Sequence, residues 1–179
     1  MREIVLLGAA AVLIFWMVGA YNRIVAMRLR IVQSWAQVDE PMRRRRETLP
    51  LLLAVLREAW PQEQGAVEAA SSALQQAAAA ADALRAKPAH APAAAQFVMA
   101  ERQLASALAR LSALLDQHPD LRSNPEVAGW QRELHDAEQR QAFARQLFND
   151  AVAAYNDAAH QWPTRLLVKL YGFEDAGPL

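Results

Sequence analysis

The chain opens on an unbroken apolar run, Ile4 to Tyr21 (IVLLGAAAVLIFWMVGAY), eighteen residues without a charge. As a helix this run spans about 27 Å, close to the thickness of a bilayer's hydrocarbon core. Beyond it, apolar positions recur at alternating steps of three and four: Tyr21, Ile24, Arg28, Ile31, Trp35, Val38, Met42, Arg45, Leu49, Leu52 and Leu56. That period predicts a helix with one buried stripe, broken in character only by the two arginines. Pro41 and Pro50 fall inside it, and each is expected to kink or restart the helix. After Trp60-Pro61 the pattern predicts a second, alanine-rich helix over 62–87 and a linker at Lys87–Pro92. A third helix reaches about Gln117 on Phe97, Ala100, Leu104, Ala107, Leu111 and Leu114, with Leu108 and Leu115 widening the stripe. Residues 118–125 read as a loop in which Asn124 caps a fourth helix with Pro125 at its first position. That helix carries Val127, Trp130, Leu134, Ala137, Gln141, Ala144, Phe148, Ala151, Tyr155, Ala158 and Trp162 at heptad spacing, and Pro163 ends it.

These elements predict an all-α protein: an N-terminal transmembrane helix followed by an elongated antiparallel four-helix bundle. Helices one (beyond the apolar run) and four are each about 57 Å long and helices two and three about 39 Å, so the chain can leave the bilayer and return to it. The expected organisation is a short tail at 1–3, the membrane helix at 4–21, the bundle at 22–162 and an amphipathic C-terminal segment at 163–179.

Charge changes this picture in one respect. The 19 basic and 19 acidic residues cancel overall, yet nine arginines against five acids in residues 1–60 leave that part at +4 and the remainder at −4. Arg23, Arg28 and Arg30 directly follow the apolar run while Arg2 alone precedes it, which by the positive-inside rule places residues beyond 21 in the cytoplasm and the N-terminus outside. Val18-Gly19-Ala20 also fits a signal-peptide cleavage site, but the region before the run is only Met1-Arg2-Glu3, and an uncleaved anchor is the better reading. The absence of cysteine rules out disulfides and thiolate chemistry. Zero net charge argues against a dedicated nucleic-acid binder. The sequence holds no phosphate-binding glycine loop, nucleophile elbow or histidine pair at metal-ligand spacing, so neither enzymatic activity nor a cofactor is expected.

Two sets of residues stand out. Arg28 and Arg45 lie on the stripe of helix one, where a guanidinium must be paired. Antiparallel packing predicts that Arg45 meets Glu138, and that Arg28 lies near Asp150, Asn156 or Asp157, in a polar network of Arg28, Arg45, Glu138, Asn149 and Asn156. The competing reading carries both arginines to the flank, where they snorkel into solvent. The run Arg43–Arg46 points in four directions on a helix and reads as structural or solvated. Trp16, Tyr21, Trp162, Arg165, Lys169 and Tyr171 form a second set, suited to a membrane interface; the tail from Trp162 to Phe173 is expected to lie there as a short amphipathic helix, or else to cap the bundle end.

The residues themselves also resemble a known family. Tyr21-Asn22, Arg28, Trp35-Ala36-Gln37-Val38-Asp39, Arg44-Arg45 and Leu49-Pro50 are similar to the signature that follows the membrane helix of LemA proteins. His118–Asn124 (HPDLRSN) is similar to that family's YPxLKAN, and Glu138-Gln139-Arg140, Ala144-Arg145, Phe148-Asn149, Val152 and Tyr155-Asn156 to its ENRI, AR, YN, V, YN series. Trp162-Pro163 and Gly172-Phe173 stand where LemA proteins have an aromatic-Pro and a terminal Gly-Phe. Pro41, Gln141, Ala36, Leu51 and His118 depart from the pattern and bear on local packing. The resemblance implies a bacterial membrane-anchored helical protein and brings no catalytic residues.

The expected function is therefore a scaffold or adaptor of the bacterial inner membrane, touching the lipid bilayer, protein partners of the membrane or cytoplasm and, through its helical faces, further copies of itself. The alternative is a membrane-remodelling or envelope-stress factor that acts on lipid through the tail.

Overall fold

The computed structural model describes residues 1–179 and is helical throughout, without a strand. Helix α1 covers Arg2–Ala59, a 3-10 turn Pro61–Glu63, α2 Gln64–Ala86, α3 Ala91–Asp116, α4 Pro119–Arg122, α5 Pro125–His160 and α6 Thr164–Leu170. The structure corrects two local expectations. Helix α1 continues through Pro41 and Pro50, so of the expected kink or restart the restart does not occur; each proline forfeits one backbone bond, and the flanking turns keep the helix continuous. The 118–125 segment is not all loop, since it contains the single-turn α4. Asn124 caps α5 as expected, its Oδ1 accepting from the Glu126 N–H at 2.9 Å, with Pro125 at the first turn.

Within α1, an eighteen-residue window near the N-terminus has a mean hydropathy of 2.3 and is wholly unburied, so the helix is long and apolar enough there to cross a membrane. The stripe beyond is buried at every expected position except Tyr21 and Arg28. Contacts along α1 fix the arrangement around it. Trp35 lies edge-on to Phe148 of α5, ring centroids 6.2 Å apart, and Arg45 further along reaches Gln141, earlier in α5. On another side Asp39 pairs with Arg85 of α2 and Arg46 with Asp82. Residues 87–90 turn the chain from α2 into α3, and Phe97 of α3 completes the aromatic group, 5.5 Å from Trp35 at 86°.

The core is two apolar clusters rather than one. The first gathers Ile24 to Met42 of α1 with Phe97, Phe148, Val152 and Tyr155. The second gathers Leu49 to Trp60 with Val67, Leu104, Leu111 and Val127. Between them, on α1, lie the buried Arg45 and Thr48.

Candidate functional site

Arg45 sits at the junction of the two clusters, with only 7% of its surface exposed. Its Nη2 donates to Glu101 Oε1 of α3, its Nη1 to Gln141 Oε1 of α5 at 3.3 Å, and Gln141 Nε2 donates to Glu101 Oε2 at 2.8 Å. All three side chains are buried. One charge pair and one amide thus close a cycle that ties three helices at a single height. The guanidinium and both carboxylate oxygens find partners, which is what a charge in an apolar interior requires.

Glu138, the expected partner, is exposed and takes no part. It lies one turn from Gln141 on the outer side of α5, so the register was sound but the face was not. Glu101 was missed in the sequence, although a signal existed: steps of three and four from Ala94 run through Phe97, Glu101, Leu104, Leu108 and Leu111. Gln141, noted only as a polar departure in the heptad stripe, is the third member.

Of the other arginines of the 43–46 run, Arg43 and Arg44 stay exposed and only Arg46 reaches a neighbouring helix. Arg44 Nε lies 3.2 Å from Glu40, and Arg46 reaches Asp82 at 3.2 Å and the Ala78 carbonyl at 3.0 Å. Arg85 donates to both Asp39 and Asp82, its Nε lying 3.1 Å from Asp39 Oδ2. Its hydrogen bond to Asp39 outweighs the opposing effect of burial, and with Asp82 it holds the guanidinium pKa above the ordinary arginine value. Burial pushes the Asp82 carboxyl up, but the combined hydrogen bonds and charges of Arg85 and Arg46 hold it below 3.8.

Arg28 is exposed and stacks over the Phe173 ring, 5.6 Å from its centroid, rather than meeting Asp150, Asn156 or Asp157. Its neighbours are aromatic: Tyr21 lies 5.0 Å from Tyr171 and 5.9 Å from Phe173 between ring centroids. The chain after α5 therefore returns to the end of the apolar run of α1. There α6 buries Leu167 and leaves Leu166 and Leu170 exposed; Tyr171, which follows it, is exposed too, and Trp162, two residues before it, is 75% exposed. Arg165 and Lys169 are exposed beside them. Trp162 was expected on the stripe of α5, but α5 stops at His160 and the stripe stops with it. Trp16 lies five residues before Tyr21 on the apolar run and is exposed.

Asn149 and Asn156 do not join the arginines. Both hold the C-terminal residues instead: Asn156 bonds the main chain of Ala176 and Asn149 that of Leu179. Between them, the Tyr155 hydroxyl donates to the Glu174 carbonyl at 2.8 Å. Burial raises the Tyr155 pKa above 10.0, the Asp175 and Glu174 charges add to this, and Arg28 opposes it.

A family model described as the LemA family matches residues 34–178. The chain is also similar to the magnetosome protein MamQ of Magnetospirillum gryphiswaldense, 36% identical over 69 residues. That match spans 38% of this chain and 25% of MamQ.

Proposed function

The chain belongs to the LemA family, and from that membership and the geometry above we propose a single-pass scaffold of the bacterial inner membrane. Its N-terminus lies outside, and an antiparallel four-helix bundle of α1, α2, α3 and α5 stands in the cytoplasm, offering helical surfaces to protein partners without catalysing a reaction. One observation carries this reading: a single helix passes from an unburied apolar segment of membrane length directly into the core of a soluble fold. The buried cycle at Arg45 supports it further, since three helices locked at one height make a stiff platform. Arg23, Arg28 and Arg30 support the orientation, and the likeness to a magnetosome protein is in keeping with a membrane-associated role.

Crosslinking in native membranes, followed by identification of the captured proteins, tests the scaffold. Recurrent partners support it, and a chain that captures none beyond lipid contradicts it. Protease accessibility in spheroplasts tests the orientation, because digestion of the bundle from outside overturns it.

A second reading, direct action on lipid, rests on the exposed apolar side chains Trp162, Leu166, Leu170 and Tyr171 set between Arg165 and Lys169 next to Tyr21. This is the composition of a helix lying in the headgroup region. Deleting residues 165–179 from a fragment that already lacks 1–20, and measuring liposome flotation, separates the two: unchanged flotation excludes the lipid role of α6.

A further inference from the structure

Helix α1 keeps an apolar face exposed beyond the end of its uncharged run. Ile14, Val18, Tyr21, Val25, Leu29 and Val32 follow one another at steps of three and four, which places them on one face of the helix. All six are exposed, whereas Ile24 and Ile31, on the side turned to the bundle, are buried in the core. The stripe therefore carries the surface of the apolar run up alongside the bundle without a break in the helix. Exposed aliphatic side chains in such a row mark a contact with something other than water.

Two walls enclose this face at different heights. Below, Tyr171 overhangs it and forms a wholly apolar cleft with Ile14, Met17, Val18 and Tyr21. Above, the turn from α2 to α3 at residues 87–90 stands against Val25, Leu29 and Val32, in a cleft of about 590 Å³. Arg28, Lys87, His90 and the single carboxylate of Glu174 line that upper cleft. Neither Arg28 nor Lys87 forms an ion pair, and the Arg28 guanidinium lies over the Phe173 ring. The upper cleft thus has an excess of positive charge, and the lower one has no charge at all. Their heights match one leaflet. A hydrocarbon core of about 30 Å begun at Ile4 ends near Ile24, and the headgroup layer extends about 5–7 Å further. Arg28 stands about 6 Å past Ile24, and its side chain leans toward the helix N-terminus, hence toward the bilayer. From Ile14 to Arg28 is about 21 Å, half of the 40–45 Å of a bilayer with its headgroups.

We propose that this face of α1 binds one anionic phospholipid of the leaflet nearest the bundle. Its phosphate sits between Arg28 and Lys87, and an acyl chain descends along Val25, Val18 and Ile14 beneath Tyr171. Three observations name a lipid as the occupant. The stripe is continuous with the segment of α1 that is long and apolar enough to cross a membrane, so its lower half already lies where lipid is the solvent. The order of the two clefts, apolar below and cationic above, is the order of an anionic lipid's own parts. The unpaired cations outnumber the one carboxylate, which favours a phosphate that bears a net negative charge over a zwitterionic headgroup. The site differs from the broad affinity of α6 for a lipid surface, because it holds one lipid per chain and selects for headgroup charge. This inference rests on the membrane-anchored reading.

The test uses the full-length chain, reconstituted in vesicles of equal parts phosphatidylglycerol and phosphatidylcholine, released into mild detergent and weighed intact by native mass spectrometry. The expected result is one phosphatidylglycerol retained per chain in preference to phosphatidylcholine. Arg28→Gln with Lys87→Gln should lower that preference roughly thirtyfold, each cation near a membrane surface being worth about fivefold. Arg23→Gln with Arg30→Gln removes the same charge from another face of α1 and should keep the bound lipid. Val25→Trp leaves every cation in place, blocks the path of the acyl chain and should lose the lipid. All five positions are exposed, so the variants should keep the parent's helical circular dichroism. Equal retention of the two lipids, or equal loss in both pairs of arginine and lysine variants, overturns the site. Membrane fractionation before extraction separates the two readings: a chain absent from the membrane overturns the anchor and the site with it, whereas a membrane-bound chain that retains no phosphatidylglycerol overturns the site alone.

Discussion

Arg45 on α1 and Glu101 on α3 form a buried ion pair across 56 residues of sequence, with Gln141 of α5 bonded to both. Losing one member of a buried pair costs more than losing both, because the remaining charge stays desolvated. Glu101→Gln should therefore destabilise the fold by about 3–5 kcal/mol, whereas replacing all three residues by Met, Leu and Leu should be neutral or stabilising by about 1–4 kcal/mol. Denaturant unfolding of the three proteins checks this; a triple variant weaker than Glu101→Gln contradicts it.

Gly177 admits no side chain against α3. Gly177→Ala should lift the tail from Asn149 and Asn156, and residues 174–179 should then be cut by protease while the helices stay resistant. A tail as resistant as in the parent protein would show that α3 yields instead.

Tyr155 gives the tail a dependence on alkaline pH. Burial raises its folded pKa above the 10.0 of the free group, so the folded state retains the phenol proton where the unfolded chain loses it. Its stabilising contribution is full below pH 10 and falls as pH rises through the folded value. Tyr155→Phe should cost about 0.5–1.5 kcal/mol at neutral pH, the usual worth of one hydrogen bond. Melting temperatures measured from pH 8 to pH 11 should show the parent losing that margin over the variant at the alkaline end.

Trp35 is buried among Phe97 and Phe148, yet its indole N–H has no partner. Trp35→Phe removes an unsatisfied donor together with some volume, so the two effects offset in part. Trp35→Ala, by contrast, opens a cavity and should cost about 3–5 kcal/mol. Calorimetric unfolding that ranks phenylalanine no better than alanine would show that the indole ring's volume, rather than its N–H, dominates.

The helices were legible because their apolar period is long and regular. From Ile24 to Leu56 every apolar stripe position of α1 is buried, and the cap at Asn124 follows from the Asn-Pro-Glu order. The polar partnerships were less legible. A heptad stripe fixes height along a helix but not which of three neighbours faces a given side chain, so Arg45 was matched in height with Glu138 and met Glu101 instead. The role of Asn149 and Asn156 was beyond the pattern altogether, since the segment they hold has no period and contributes main-chain atoms that every sequence shares. Pro41 and Pro50 do not restart the helix: the local cost of each is real, and the buried residues on either side keep α1 continuous.

If α1 is anchored as proposed, its unbroken course makes it a lever whose fulcrum would lie in the bilayer. The part beyond the membrane, residues 22–59, is about 57 Å long, so a change of about 20° in tilt, the ordinary inclination of a spanning helix, sweeps its far end sideways by roughly 20 Å. Helices α2, α3 and α5 are fastened to that arm by Asp39, Arg45 and Arg46 and swing with it. In the membrane-anchored reading proposed above, a local thickening or thinning of the lipid would move the distal end of the bundle.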